Sequence, residues 1–130
     1  MRAMLDTNTC IYAMKRREGF EARLPLRECG ISIIVLGELE WGACLSDRKR
    51  DSLAAIHDIV GAVQVVELDA EVARRYGQLR AHLRSIGQPI GPNDLWIAAH
   101  ALARDVQLIT HNLAEFQRVP GLTAETWMTG

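Results

Sequence analysis

Three carboxylates in this chain sit among apolar neighbours. Asp6 follows Met4-Leu5, Glu38 lies between Leu36 and Leu39, and Asp94 precedes Leu95-Trp96-Ile97. Neighbours of this kind carry an acid toward the interior edge of a fold rather than into water. Carboxylates brought together there repel one another and are penalised by desolvation, so they persist only around a cation or a proton. Ligand sets made of oxygen suit Mg²⁺ or Mn²⁺. Each acid also has a purely structural explanation. Near a helix start, unpaired amides and the helix dipole favour negative charge whatever the chemistry. On the residues alone both explanations stand.

The elements that must position these acids can be read from apolar spacing. Residues 2–5 form a short strand ending at Asp6-Thr7-Asn8, a trio that favours turns and caps, and residues 11–15 are helical. Gly30 precedes the β-branched run 31–35, which begins as a strand, and Leu36, Leu39 and Ala43 then recur at helical spacing, so Glu38 falls near a helix start. From Asp51 a helix carries Leu53, Ala54, Ile56, Ile59 and Val60 inward and ends at Gly61; residues 63–68 follow as a buried strand. The clearest helix spans 69–85, with Val72, Tyr76, Leu79, Leu83 and Ile86 on one face, arginines on the other and Gly87 as its stop. A turn-rich segment, 88–92, leads into a helix from Asn93 or Asp94 to Arg104 that turns Leu95, Ala98, Ala99 and Leu102 inward. Residues 106–110 are a strand, His111-Asn112 a turn, and 122–125 an edge strand. Strands alternating with helices imply an α/β fold with a mostly parallel sheet covered on both faces. In such sheets ligands bind beyond the carboxyl ends of the strands, where Asp6 and Asn112 fall.

Composition narrows the class. A chain of 130 residues with 48% hydrophobic and 24% charged side chains is expected to form one globular domain. No apolar stretch reaches the roughly 18 residues of a membrane span and the N-terminus carries no export leader, so a cytoplasmic protein with no membrane association is expected. Cys10, Cys29 and Cys44 are odd in number and far apart, which argues against a disulfide framework or a zinc site and for reduced thiols, two of them core fillers. Net charge is −1, so any nucleic-acid binding must come from local clusters. Arginines, which grip phosphate bidentately, bunch at Arg16-Arg17, Arg48-Lys49-Arg50, Arg74-Arg75, and Arg80 with Arg84. His57, His82, His100 and His111 share no metal-ligand spacing, and His100 is expected to pack. Trp41, Trp96 and Trp127 are expected to be buried.

Four segments taken in order carry a resemblance. Leu5-Asp6-Thr7-Asn8, Ile31-Ser32 followed by Glu38-Leu39 with Gly42, Gly91-Pro92-Asn93-Asp94 running into Ile97-Ala98-Ala99, and Thr110-His111-Asn112 with Glu115-Phe116 resemble the PIN-domain ribonucleases, and among them the VapC toxins of bacterial toxin-antitoxin modules. The resemblance extends through Pro120-Gly121-Leu122 and covers nearly the whole chain. It implies a three-layer α/β/α fold and Mg²⁺- or Mn²⁺-dependent endonucleolytic cleavage of structured RNA, with tRNA as the expected target. It also implies a homodimer and a cognate VapB-type antitoxin. The family's metal-holding acids map to Asp6, Glu38 and Asp94. Glu38 is preferred over Glu40 because it has the matching Leu and Gly one and four residues on. The fourth position, often Asp in the family, is Asn112 here, which brings an amide oxygen but no charge. Glu115, three residues on, supplies charge if the segment turns. Thr7, Asn8 and Thr110 are candidates to orient the ligands, and Arg16, Arg17, Arg80 and Arg84 to hold RNA.

Two other readings compete. Leu5-Asp6-Thr7 at a strand end fits an aspartyl phosphatase, but the second Asp two residues later is missing. A non-catalytic RNA- or partner-binding module of the same fold is favoured only by Asn112.

Overall fold

In the computed structural model, which describes residues 1–129, five strands form one sheet in the order β3-β2-β1-β4-β5, with every neighbouring pair parallel. The strands are β1 (Ala3–Leu5), β2 (Cys29–Ser32), β3 (Gln64–Val66), β4 (Gln107–Ile109) and β5 (Ala124–Glu125). The helices are α1 (Thr7–Met14), α2 (Ile33–Leu45), α3 (Lys49–Ala62), α4 (Ala70–Ser85), α5 (Pro92–Arg104) and α6 (Leu113–Phe116). Ala3, Met4, Leu5, Cys29, Ile31, Leu108 and Ile109 are all buried, as a sheet covered on both faces requires. The chain steps outward through β1, β2 and β3, then returns past β1 to β4 and β5. Right-handed crossovers place α1, α2 and α3 on one face and α4 with α5 on the other; the helices pack within those two groups, and α2 also meets α5. The direction of winding reverses between β1 and β4. The crevice that such a reversal opens lies at their carboxyl ends, at Asp6 and Thr110.

Several boundaries differ from the sequence expectation for physical reasons. The strand expected over 31–35 stops at Ser32, whose hydroxyl accepts from the Ile34 N–H at 3.2 Å and caps α2. Ile33, Ile34 and Val35 therefore enter the helix despite their β-branching, because a capped start and a buried helix face outweigh local propensity. The strand expected to be buried over 63–68 is shorter and lies at the sheet edge, with Gln64 exposed and Val65 and Val66 half-buried. Ile86 is 48% exposed, because α4 ends at Ser85 and the chain turns away at Gly87, whose φ of 70° suits glycine. In α3, Ile56 and Ile59 are buried while Leu53 and Ala54 face solvent. Leu102 is half-buried, whereas Leu95, Ala98 and Ala99 are fully enclosed. Pro92 opens α5, where its fixed φ and missing N–H are suited to the first turn.

Cys10 and Cys29 are buried and Cys44 is exposed. Trp127 is buried and Trp96 half-buried, stacked on Tyr76 with ring centroids 3.8 Å apart, but Trp41 is 66% exposed, contrary to expectation. His100 packs as expected: it is fully buried, with Nδ1 2.8 Å from Ser32 Oγ. Among the described residues no helix is long and apolar enough to cross a membrane.

Candidate active site

Asp6 sits where β1 passes into α1. Its N–H donates to the Ile109 carbonyl at 3.0 Å, extending the β1–β4 ladder, while Oδ1 accepts from the Thr9 N–H at 2.9 Å and caps α1. The Thr9 hydroxyl donates to the same Ile109 carbonyl at 3.0 Å. The carboxyl is thereby clamped between strand and helix and nearly buried. Thr110, fully buried at the end of β4, hydrogen-bonds to it from the other side. Burial pushes the Asp6 carboxyl above the ordinary range; the hydrogen bonds from Thr110 and Thr9 oppose that shift, and the charge of Glu38 adds to it.

Asp94 lies in the first turn of α5. Its pKa is pushed up to about 7, first by burial, then by the charge of Glu115 and a hydrogen bond with it, then by Glu38 and Asp6. At neutral pH Asp94 therefore carries less than its full negative charge. Glu38, in the second turn of α2, is held by the Thr7 hydroxyl at Oε1 and by Asn93 Nδ2 at Oε2, 3.4 Å. Asn112 donates through Nδ2 to Glu115 Oε2 at 2.6 Å, and its N–H donates to Thr110 Oγ1 at 3.0 Å.

The structure thus brings Asp6, Glu38 and Asp94 into mutual electrostatic range, with Thr7 and Thr110 bonded to them. Asn112 stands beside them through Glu115. Asn8 is exposed on α1 and is not drawn into these contacts. Glu115 reaches the cluster because residues 113–116 form α6, a turn too short to show in apolar spacing. Thr9 and Asn93 are positioning residues that sequence reasoning passed over. The only signal for either was its place beside a candidate acid. Among the described residues, no Lys or Arg acts on Asp6 or Asp94.

The four arginines separate. Arg80 and Arg84 line a groove of about 300 Å³ with Leu83, Pro89, Pro92 and Leu95, adjoining the α5 turn that carries Asp94. Arg16 and Arg17 follow the far end of α1, a helix of 8 residues that starts beside Asp6.

All the donors gathered here are oxygens, the chemistry of a magnesium-type site. Among the described residues no three Asp, Glu, His or Cys side chains are yet drawn together tightly enough to hold a metal ion. Glu38 is turned onto Thr7 and Asn93, and Glu115 onto Asn112. Burial raises Asp6 and Asp94 and the neighbouring carboxylates add to it; a divalent cation relieves both, so in kind and in electrostatics the residues fit one.

Residues 3–122 match the family model of the PIN domain. The chain belongs to the PIN-domain family. Within that family its relatives are VapC ribonucleases. The tRNA(fMet)-specific endonuclease VapC of Salmonella typhimurium (strain LT2) is 40% identical over 131 residues, covering 98% of each chain. Ribonuclease VapC2 of Rickettsia felis is 37% identical over 95% of this chain and 96% of the relative. Among solved structures, that of VapBC2 from Rickettsia felis bound to a DNA fragment from their promoter superposes on this PIN domain with a TM-score of 0.89 at 34% identity, covering 98% of this chain and 99% of that one. The structure of DNA-bound VapBC from Salmonella typhimurium gives 0.87 at 38% identity, with 98% of each chain covered.

Proposed function

We propose that this PIN domain is a metal-dependent endoribonuclease that acts as the toxin of a toxin-antitoxin pair. The observation that carries the reading is the concentration of Asp6, Glu38, Asp94 and Glu115 at the topological switch point, none of them in a salt bridge among the described residues. Asp6, Glu38 and Asp94 would hold Mg²⁺ or Mn²⁺. Asn112 would offer its amide oxygen, which its Nδ2 bond to Glu115 leaves free. When bound, such an ion supplies Lewis acidity and a water of lowered pKa for phosphodiester hydrolysis.

The chain's own residues do the rest. Thr110 and Thr9 fix Asp6, while Thr7 and Asn93 hold Glu38, which would turn from them onto the ion. Asp94, with its pKa at about 7, can give up its proton when positive charge enters the crevice. Arg80 and Arg84, along the adjoining groove, would hold the RNA backbone. Likeness to the Salmonella relative supports tRNA as substrate, and likeness to solved VapBC complexes supports a small VapB-type antitoxin as partner. Assembly as a homodimer in the cytoplasm follows from the same family reading.

The test is incubation of the purified chain, free of antitoxin, with total cellular RNA in Mg²⁺, in Mn²⁺ and in chelator. The expected result is a small set of discrete fragments in metal and none in chelator, with mapped ends naming the target. Intact RNA in both metals, from folded protein, would favour a binding module of the same fold, the reading that Asn112 in place of an acid supports.

A further inference from the structure

On the turn that carries Thr110 and Asn112, exposed side chains are held in place without being buried. His111 is exposed, yet its Nδ1 lies 3.0 Å from Thr126 Oγ1. Its ring stands edge-to-face with Tyr12, with centroids 6.3 Å apart and planes at 81°. Thr126 Oγ1 already accepts from the Met128 N–H at 3.1 Å, so its own proton is available to His111 Nδ1. Thr126 is itself anchored, because the next residue, Trp127, is buried against Phe20. Tyr12 is half-buried, and the exposed Arg17 guanidinium lies over its ring at 5.5 Å.

Ordering an exposed imidazole and an exposed guanidinium opposes side-chain entropy and buries little apolar surface in return. A fixed aromatic and cationic surface is, however, what an unpaired nucleobase needs. Bases stack on imidazole and guanidinium planes, and a platform ordered in advance removes the entropy that binding would otherwise lose. The position also fits. His111 is covalently between Thr110, which bonds Asp6, and Asn112, which bonds Glu115.

We propose that His111, Tyr12 and Arg17 form a base-stacking subsite that takes one unpaired nucleobase of an RNA substrate beside the acidic crevice. Its identity as a substrate subsite rests on the nuclease reading; its binding of a base does not. A base splayed onto this surface cannot remain paired, so the subsite selects single-stranded and loop RNA over duplex.

The experiment uses the Asp94→Asn protein in chelator and short single-stranded RNAs with 2-aminopurine at successive positions. Quenching at one position is expected. Adding His111→Leu or Arg17→Gln should weaken binding about 5- to 10-fold, the low end of one stacked base, and remove the quench, whereas duplex RNA should bind the His111→Leu variant as it binds the parent. His111→Phe should keep the quench, which a hydrogen-bonding role for the imidazole would not. Unchanged affinity and quench in folded His111→Leu and Arg17→Gln proteins would overturn the subsite, as would loss of the quench in His111→Phe. A quench that behaves as expected in a chain whose wild type cleaves no RNA would leave the base-binding subsite standing and remove the nuclease reading instead.

Discussion

Asp6 and Asp69 each end an extended segment and cap the helix that follows, accepting from the Thr9 N–H at 2.9 Å and from the Val72 N–H at 3.0 Å. Beyond the cap they diverge. Asp69 is exposed and paired with Arg104 at 2.8 Å; the Val72 amide and then the Arg104 guanidinium hold its carboxyl below the ordinary range. Asp6 has no such cation and is pushed upward by burial, with Glu38 adding to the shift and Asp94 close enough to feel its charge. A helix-cap position therefore does not separate a structural acid from a functional one. What separates them is whether the negative charge is satisfied where it stands or left to be satisfied by something that binds.

The contrast can be broken in several ways. Asp94→Asn removes a proposed ligand and should lower RNA cleavage about 100-fold or more in kcat/KM, since even positioning residues around a metal commonly account for 10- to 100-fold; near-normal cleavage would place the chemistry elsewhere. Thr110→Val deletes the hydroxyl that holds Asp6 and should reduce activity about 10-fold with the fold retained, measured as single-turnover cleavage alongside thermal unfolding. Glu115→Gln removes the charge and the shared hydrogen bond that raise Asp94, so the acid limb of the pH–rate profile should move to lower pH. An unmoved limb would separate the two carboxyls.

Stability should show the same contrast with opposite sign. In chelator, folded Asp94 keeps a proton up to about pH 7 that the unfolded chain gives up near pH 4, so its contribution is complete at low pH and is lost as pH rises through about 7. Asp94→Asn should therefore gain on wild type by a few degrees in Tm between pH 4 and pH 8. Asp69, with its pKa depressed, contributes above the ordinary carboxylate range and loses that contribution as pH falls below it. Asp69→Ala should melt slightly earlier than wild type at pH 7, with the gap closing in acid.

Much of this could be read in the residues because the relevant signals are local. The winding of strands and helices, the placement of Asp6 at a strand end and the α5 start at Asp94 follow from apolar spacing and turn chemistry, and the assignment of Glu38 came from the family motifs. The β2–α2 boundary did not follow, because Ser32 caps a helix within a β-branched run. β3 was misjudged because edge position is a property of the whole sheet and not of its own residues. Glu115 could be named but not placed, since α6 is one turn long and its orientation is fixed by the Asn112 contact. Asn93 was hidden because its partner, Glu38, lies 55 residues away in sequence. Trp41 remained exposed where burial was expected, and nothing among the described residues covers it.

The most direct test compares Asp6→Asn with Asp69→Asn. Asparagine caps a helix about as well as aspartate, so both proteins should fold, and metal-dependent cleavage of the same RNA can be measured on each. The account predicts that Asp6→Asn abolishes discrete cleavage while Asp69→Asn cleaves as wild type does. Cleavage by folded Asp6→Asn at the wild-type rate, or equal loss in both variants, would contradict it.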